Sequence, residues 1–236
     1  MKIAVVGATG ETGTSIVDGL LGSNNPNYDI TALIRPSSID KPEVQDLEKR
    51  GIILVAADLT GPEDELAKLL QGIDVVIACV NPIGMLAQIP LSNACKTAGV
   101  KRFVPCFFAT IAPPKGILRL REIKEDVLNH VKKIYLPYTV IDVGWWYQLT
   151  LPRLPSGRNT YAHSGAPDGI AGDGNVPSAL TDLRDVGKYV ARIVADPRTL
   201  NQLVFAYNEL STQNQVYDMI EGLAGEKIER NHISAE

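Results

Sequence analysis

The sequence predicts an α/β fold: a doubly wound parallel sheet with helices on both faces. Two observations carry that prediction. Short continuous apolar runs alternate with amphipathic stretches through the first hundred residues, the order expected when right-handed crossovers join parallel strands. The runs are apolar throughout rather than alternating, as in strands covered on both faces.

The elements follow in order. Lys2–Val6 reads as a buried strand. Thr12–Leu21, with Ile16, Val17, Leu20 and Leu21 on one side, reads as a helix. Asn24-Asn25-Pro26-Asn27 is a loop. Further strands are expected at Ile30–Ile34, Ile52–Ala56, Asp74–Val80 and Arg102–Pro105, with helices at Val44–Arg50, Asp64–Leu70 and Leu86–Ala98 between them. Beyond Pro105 the pattern loosens. Leu118–Lys133 reads as a helix and Thr139–Val143 as a strand. Leu151–Asn175, with Pro152, Pro155 and Pro167, reads as a long loop, and Asp185–Asp196 and Val216–Ala224 as helices. The division expected is a nucleotide-binding domain over 1–150 and a substrate-binding portion over 151–236, interleaved with returning sheet elements.

Composition limits the functional classes. The 236 residues are 45% hydrophobic and 21% charged, and 23 basic against 27 acidic residues leave a formal net charge of −4. Without a basic run, no positive field favours nucleic acid or an anionic membrane. No apolar run approaches the ~18 residues of a membrane span. The three cysteines, Cys79, Cys95 and Cys106, lack metal-ligand spacing. Reduced thiols, a cytoplasmic location and no bound metal are expected, with Cys79 and Cys95 packed in the core and His130 and His232 on the surface.

The chemistry begins at Gly7-Ala8-Thr9-Gly10-Glu11-Thr12-Gly13, between the first strand and the first helix. Such glycines permit a tight turn, close approach of backbone to a pyrophosphate, and tight helix–sheet packing. The helix N-terminus then offers free N–H groups to phosphate. This is the Rossmann-type arrangement for a dinucleotide. After the second strand, where an NAD site usually carries an acid, the chain has Arg35-Pro36-Ser37-Ser38. A guanidinium and two hydroxyls suit a ribose 2′-phosphate, so NADP(H) is expected. Asp58 and Asn81, after the third and fourth strands, and Cys106, after the fifth, are placed along the cofactor.

Lys124 is the second focus. On a helix at ~100° per residue, Leu120, Val127, Leu128 and Val131 lie within about 60° of it, so it sits inside the apolar stripe. A lysine there either snorkels or serves a site. No tyrosine is followed four residues later by lysine, so the ordinary short-chain dehydrogenase acid is missing in that form.

These blocks together resemble the isoflavone reductase-like, or NmrA-like, group of atypical short-chain dehydrogenases. Gly7 to Gly13 is similar to its glycine loop and Ala98–Pro105 to its fifth-strand entry. Lys124, upstream of Leu136-Pro137-Tyr138-Thr139, falls where the plant reductases carry an active-site lysine. Gly144-Trp145-Trp146 resembles the turn beside the nicotinamide. Thr181–Gly187 and Asp196–Asn201 resemble two further blocks. The pattern departs at Pro105-Cys106-Phe107-Phe108-Ala109, where the family usually has Pro-Ser-Glu-Phe-Gly. The family pattern also continues beyond Glu236, so the substrate subdomain is expected to be partly truncated.

The resemblance implies an NADPH-dependent reductase acting on an aromatic or phenolic secondary metabolite as a monomer or homodimer. Lys124 would be catalytic or a ribose ligand, Gly144 and Trp145 would line the cofactor, and Phe107, Trp146, Tyr147 and His163 would meet the substrate. The rival expectation is a non-catalytic NADP(H)-binding sensor, which the inward Lys124 disfavours and the loss of the acid at Phe107 favours. A non-redox use of the cofactor pocket is a weaker third. The cofactor expectation is checked by calorimetry: Arg35→Ala should cost about 1.5–3 kcal/mol in NADPH binding, the range for a charge-assisted hydrogen bond, and leave NADH binding nearly unchanged.

Overall fold

The computed structural model describes residues 1–159 and 169–234. The chain forms two compact units, Met1–Asp142 with Arg184–Val204, and Val143–Leu183 with Phe205–Glu236.

In the first unit, β1 (Lys2–Val6), α1 (Glu11–Leu21), β2 (Asp29–Ile34), α2 (Pro42–Lys49), β3 (Ile53–Ala56), α3 (Glu63–Leu69), β4 (Val75–Ala78), α4 (Gln88–Ala98) and β5 (Arg102–Val104) follow one another. The strands form a five-stranded sheet of order β3-β2-β1-β4-β5. Every pairing in it is parallel, with Ile3 opposite Ile30 and Val75, and Ile77 opposite Val104. After α5 (Arg119–Lys133), β6 (Thr139–Asp142) meets β5 at the parallel Phe103–Tyr138 bridge. The reversal of strand order at β1 puts the carboxyl ends of β1 and β4 side by side, where ligands bind in such sheets. Val76, Ala78, Leu91, Phe103, Val127 and Val131 share one core cluster between sheet and helices.

The second unit carries β7 (Trp145–Trp146), the single-turn α6 (Tyr147–Thr150), β8 (Ile170–Ala171) and β9 (Ser178–Thr181). The chain then returns to the first unit with α7 (Leu183–Ala195) and β10 (Gln202–Phe205), the partner of β6. It ends in the second unit with β11 (Glu209–Ser211), α8 (Gln213–Ala224) and β12 (His232–Ile233). There β9 lies between β11, antiparallel, and β7, parallel, and β8 pairs with β12.

The differences from the sequence reading have local causes. Helix α2 starts at Pro42 rather than Val44, because proline's fixed φ suits the first helical position. The stretch expected as one helix from Leu86 begins as a 3₁₀ segment, Pro82–Ala87, capped by the Asn81 side chain. Helix α8 starts earlier than Val216 because Thr212 and Gln215 form a reciprocal capping box. Strands β7 to β12 are two to four residues long, too short for a periodicity signal, and none of them was expected from the sequence. Cys95 is buried as expected, whereas Cys79, one residue past β4, is only half-buried. His232 is exposed and His130 half-buried against the Asn93 side chain, 2.7 Å away. Among the described residues no helix is long and apolar enough to cross a membrane.

Helices α1 and α7 touch backbone to backbone. A Cβ on Gly187 would lie 1.7 Å from the Ser15 carbonyl oxygen, and the Gly187 N–H donates to Ser15 Oγ at 3.0 Å. Gly187→Ala should therefore push the helices apart and cost about 1–3 kcal/mol, the usual range for overpacking. A drop in the urea midpoint with an unchanged slope is the expected readout.

Candidate active site

The glycine turn is built by exclusion. Gly7 has φ +73°, and a Cβ on it would lie 2.0 Å from the Cys79 carbonyl oxygen. A Cβ on Gly13 would lie 2.0 Å from the Gly7 carbonyl oxygen. Two hydrogens thus let the first turn of α1 sit directly on the ends of β1 and β4. Gly10 N donates to Gly7 O at 3.0 Å and closes the turn. Gly10, the N-cap, provides no side-chain cap, so the leading N–H groups of α1 stay open to a ligand at the sheet edge. Thr9, Gly10 and Glu11 are exposed there and Thr12 is half-buried.

At the end of β2, Arg35 is exposed and precedes the 3₁₀ turn Pro36–Ser38. Among the described residues it has no ion-pair partner. Ser37 is exposed and Ser38 half-buried. Asp58, after β3, is committed to its own turn, accepting from Thr60 N at 2.9 Å and Thr60 Oγ1 at 2.7 Å. Those bonds hold its carboxyl below the usual range. Asn81, exposed after β4, accepts from Gly84 N through Oδ1 at 2.8 Å.

The end of β5 carries the polar centre. Cys106 N donates to the buried Gln88 Oε1 at 2.8 Å, and Cys106 Sγ donates to Val80 O at 3.3 Å. Burial pushes the thiol up, partly offset by Lys124 nearby. Lys124 points inward from α5, only 6% exposed, and its Nζ donates to the Phe107 carbonyl. Burial pulls its pKa down, against the opposing fields of Cys106 and Asp142 and with the help of Arg121.

The Phe107 side chain, expected at the substrate, is instead a core element. It is 1% exposed and packs with Leu128 and Val140. Arg121 lies over its ring at 4.8 Å and Lys124 at 5.7 Å from the centroid. What Phe107 offers the site is its carbonyl. The next residue, Phe108, has φ +26° and donates its N–H to Ile141 O at 2.9 Å, which turns the chain after β5 toward α5.

Sequence reasoning missed Arg121, Asp142 and Gln88. Arg121 Nη1 bridges both Asp142 oxygens, at 3.2 and 2.9 Å, and Arg121 Nε reaches Glu125 at 2.8 Å. Two signals were present. Arg121 falls about 60° from Lys124 on the same helical stripe, and Asp142 is the one acid in the apolar run Thr139–Val143. Nothing local singles out Gln88.

Gly144, Trp145, Trp146 and Tyr147 belong to the second unit. Gly144 has φ +75° and lies against the Ala179 carbonyl. Trp145 is 45% exposed. Tyr147 OH donates to Glu209 Oε1 at 2.5 Å. His163 lies outside the described residues. The first unit therefore brings together the glycine turn, Asn81, Cys106 and Lys124 along the carboxyl ends of its strands.

This is the architecture of a dinucleotide-binding α/β domain with a lysine beside its fifth strand. The NmrA-like family model matches residues 1–236, and the chain belongs to that family. Asnovolin J 5′,6′-dehydrogenase of Aspergillus novofumigatus is 51% identical over 236 residues, covering 99% of this chain and 72% of its own. An isoflavone reductase-like protein of Olea europaea is 29% identical over 253 residues, covering 100% and 78%. Among solved structures, AtPrR2 with NADP⁺ and (+)-pinoresinol superposes with TM-score 0.82 at 26% identity, over 99% of this chain and 79% of that one. The leucoanthocyanidin reductase–NADPH complex of Vitis vinifera does so with TM-score 0.82 at 25% identity, over 99% and 78%.

The depressed pKa of Lys124 has a signed consequence for stability. The unfolded chain holds this proton up to about pH 10.4, whereas the native state releases it earlier. Native stability should therefore rise with pH between the lowered native value and about 10.4. Urea unfolding across that alkaline window should show the rise in the native chain and its loss in Lys124→Met.

Proposed function

We propose that the protein is an NADP(H)-dependent oxidoreductase acting on an aromatic, phenolic-type secondary metabolite. The observation that carries this reading is the buried Lys124 on the same sheet edge as the glycine turn. The residues present fit the dinucleotide. The cradle at Gly7 and Gly13 admits no side chain, the first turn of α1 is left open by its side-chain-free cap, and Arg35 is exposed without an ion-pair partner among the described residues. The pyrophosphate would lie on the α1 N-terminus, and Arg35, Ser37 and Ser38 would take the 2′-phosphate. Asn81 and Cys106 would border the nicotinamide end. When bound, the cofactor supplies or accepts the hydride.

Lys124 would then do the polar work. Its ammonium, aimed by the Phe107 carbonyl, can stabilise negative charge developing on a substrate oxygen. With its pKa pulled down by burial, it can also pass a proton at lower pH than an ordinary lysine. Binding the nicotinamide ribose is its alternative task. The aromatic substrate class is supported by two features: the exposed Trp145, followed by Trp146 and Tyr147, offers flat apolar surface, and AtPrR2 has been solved with (+)-pinoresinol.

The test is turnover with NADPH and pinoresinol-type phenolics, and with NADP⁺ and asnovolin J, in the native chain and in Lys124→Met. A loss on the order of 10²–10⁴ in turnover, with NADPH affinity held, is expected of a group used in the transition state. Weaker NADPH binding alone would make Lys124 a ribose ligand. Tight NADPH binding with no turnover on any substrate would favour a redox sensor.

A further inference from the structure

A buried ammonium with only a neutral carbonyl for a partner is an unfavourable arrangement, because water's solvation is lost and a dipole replaces it incompletely. Lys124 has that arrangement: among the described residues its one hydrogen-bond partner is the Phe107 carbonyl. A second cation, Arg121, lies one turn back on the same helix and over the same Phe107 ring. Two buried like charges on one helix face need buried counter-charge. Glu125 meets Arg121 at Nε, on the less enclosed side. Asp142, 1% exposed at the end of β6, meets Arg121 at Nη1 with both oxygens.

We propose that Asp142, held in place by Arg121, is the positioning residue of Lys124: its carboxylate is the buried counter-charge that keeps the ammonium seated at the Phe107 carbonyl. The proposal deepens the reading of Lys124 given above and rests on it. Geometry links the parts. Arg121 is oriented by Asp142 and Glu125, its guanidinium pins the Phe107 ring, and the same residue's carbonyl receives Lys124 Nζ. Phe108 N bonded to Ile141 O ties this segment to the residue next to Asp142. The titratable and charged groups acting on Lys124 are Cys106 from the end of β5, Asp142 from β6, and Arg121 from α5. Asp142 in turn faces Arg121, Lys124 and Glu125.

The experiment is an NMR titration of the chain labelled with 13C at the lysine ε-carbon, with the Lys124 resonance identified by its disappearance in Lys124→Met. It needs no substrate. In Asp142→Asn the Lys124 titration should move down by ~1 pH unit or more, as when a nearby opposite charge is removed. In Arg121→Gln it should move up, because a like charge is lost and Asp142 is freed to face the ammonium. A merely structural role for Asp142 predicts the opposite sign in Asp142→Asn: loosening hydrates Lys124 and returns it toward the ordinary lysine value. An unmoved or raised Lys124 titration in that variant overturns the proposal. If Asp142→Asn does not fold, the coupling is read from the other side. The 13C-labelled Asp142 carboxyl should titrate higher in Lys124→Met than in the native chain, and an unchanged value overturns the proposal equally. Turnover is read separately. Coupling with full turnover in Lys124→Met would sink the catalytic reading and leave the positioning role of Asp142 standing.

Discussion

The seating of α1 on the carboxyl ends of β1 and β4 is the constraint on which the rest of the first unit depends. It requires hydrogen, and nothing larger, at Gly7 and Gly13. With a methyl at either position the helix would have to lift off the sheet. The N–H groups of its first turn would then no longer face the edge where the strand order reverses. The same constraint recurs at the far side of α1, where Gly187 of α7 rests on the Ser15 carbonyl. The helix is therefore clamped between the sheet edge and α7 by backbone contacts, which leave less room for adjustment than side-chain packing.

At the other end of the same edge the problem is charge rather than volume. Helix α5 brings Arg121 and Lys124 into the interior on one face, and a sheet core cannot solvate them. The chain meets this with one acid from the same helix and one from β6, and with an aromatic ring that accepts both cations on its face. The aromatic at 107 is thus consistent with its surroundings. A carboxylate there would add a third acid against two cations, whereas the ring adds packing area and leaves the backbone carbonyl to receive Lys124. With phenylalanine at this position the lysine stays in the interior, 6% exposed, with the residue's carbonyl as its acceptor.

The fold was legible where elements were long enough to carry a period. The five central strands and the helices between them followed from continuous apolar runs and from stripes at helical spacing. The inward direction of Lys124 followed from four apolar neighbours on one stripe. Strands β7, β8 and β12, of two residues each, offered no period to read. Arg121 and Asp142 were overlooked for a different reason. Arg121 lies at the edge of the stripe centred on Lys124 and Asp142 inside the run Thr139–Val143, and neither position by itself says that the two side chains pair. Only the pairing of β6 beside β5 brings Asp142 to α5, and that is a tertiary fact. Phe107 was misplaced because position along the chain identifies the segment at the site. Which of its groups, ring or carbonyl, faces the site depends on the positive φ at Phe108.

The arginines show how far location determines role. Arg102 and Arg121 are buried and paired: Arg102 donates to Ile193 O, Asp196 O and Thr199 Oγ1, holding the end of α7 against β5, and Arg121 donates to Asp142 and Glu125. Each is withdrawn from ligand binding by bonds that fix structure. Arg35 is exposed, follows a central strand at its carboxyl end, and has no ion-pair partner among the described residues. A guanidinium costs little to keep in water and gains most from a doubly charged, geometrically matched anion. An unspent arginine at the switch edge therefore retains its full capacity for a phosphate, whereas a paired one would first have to break a bond to accept it. By the same logic, the exposed Ser37, two residues on, offers a hydroxyl at the same strand end.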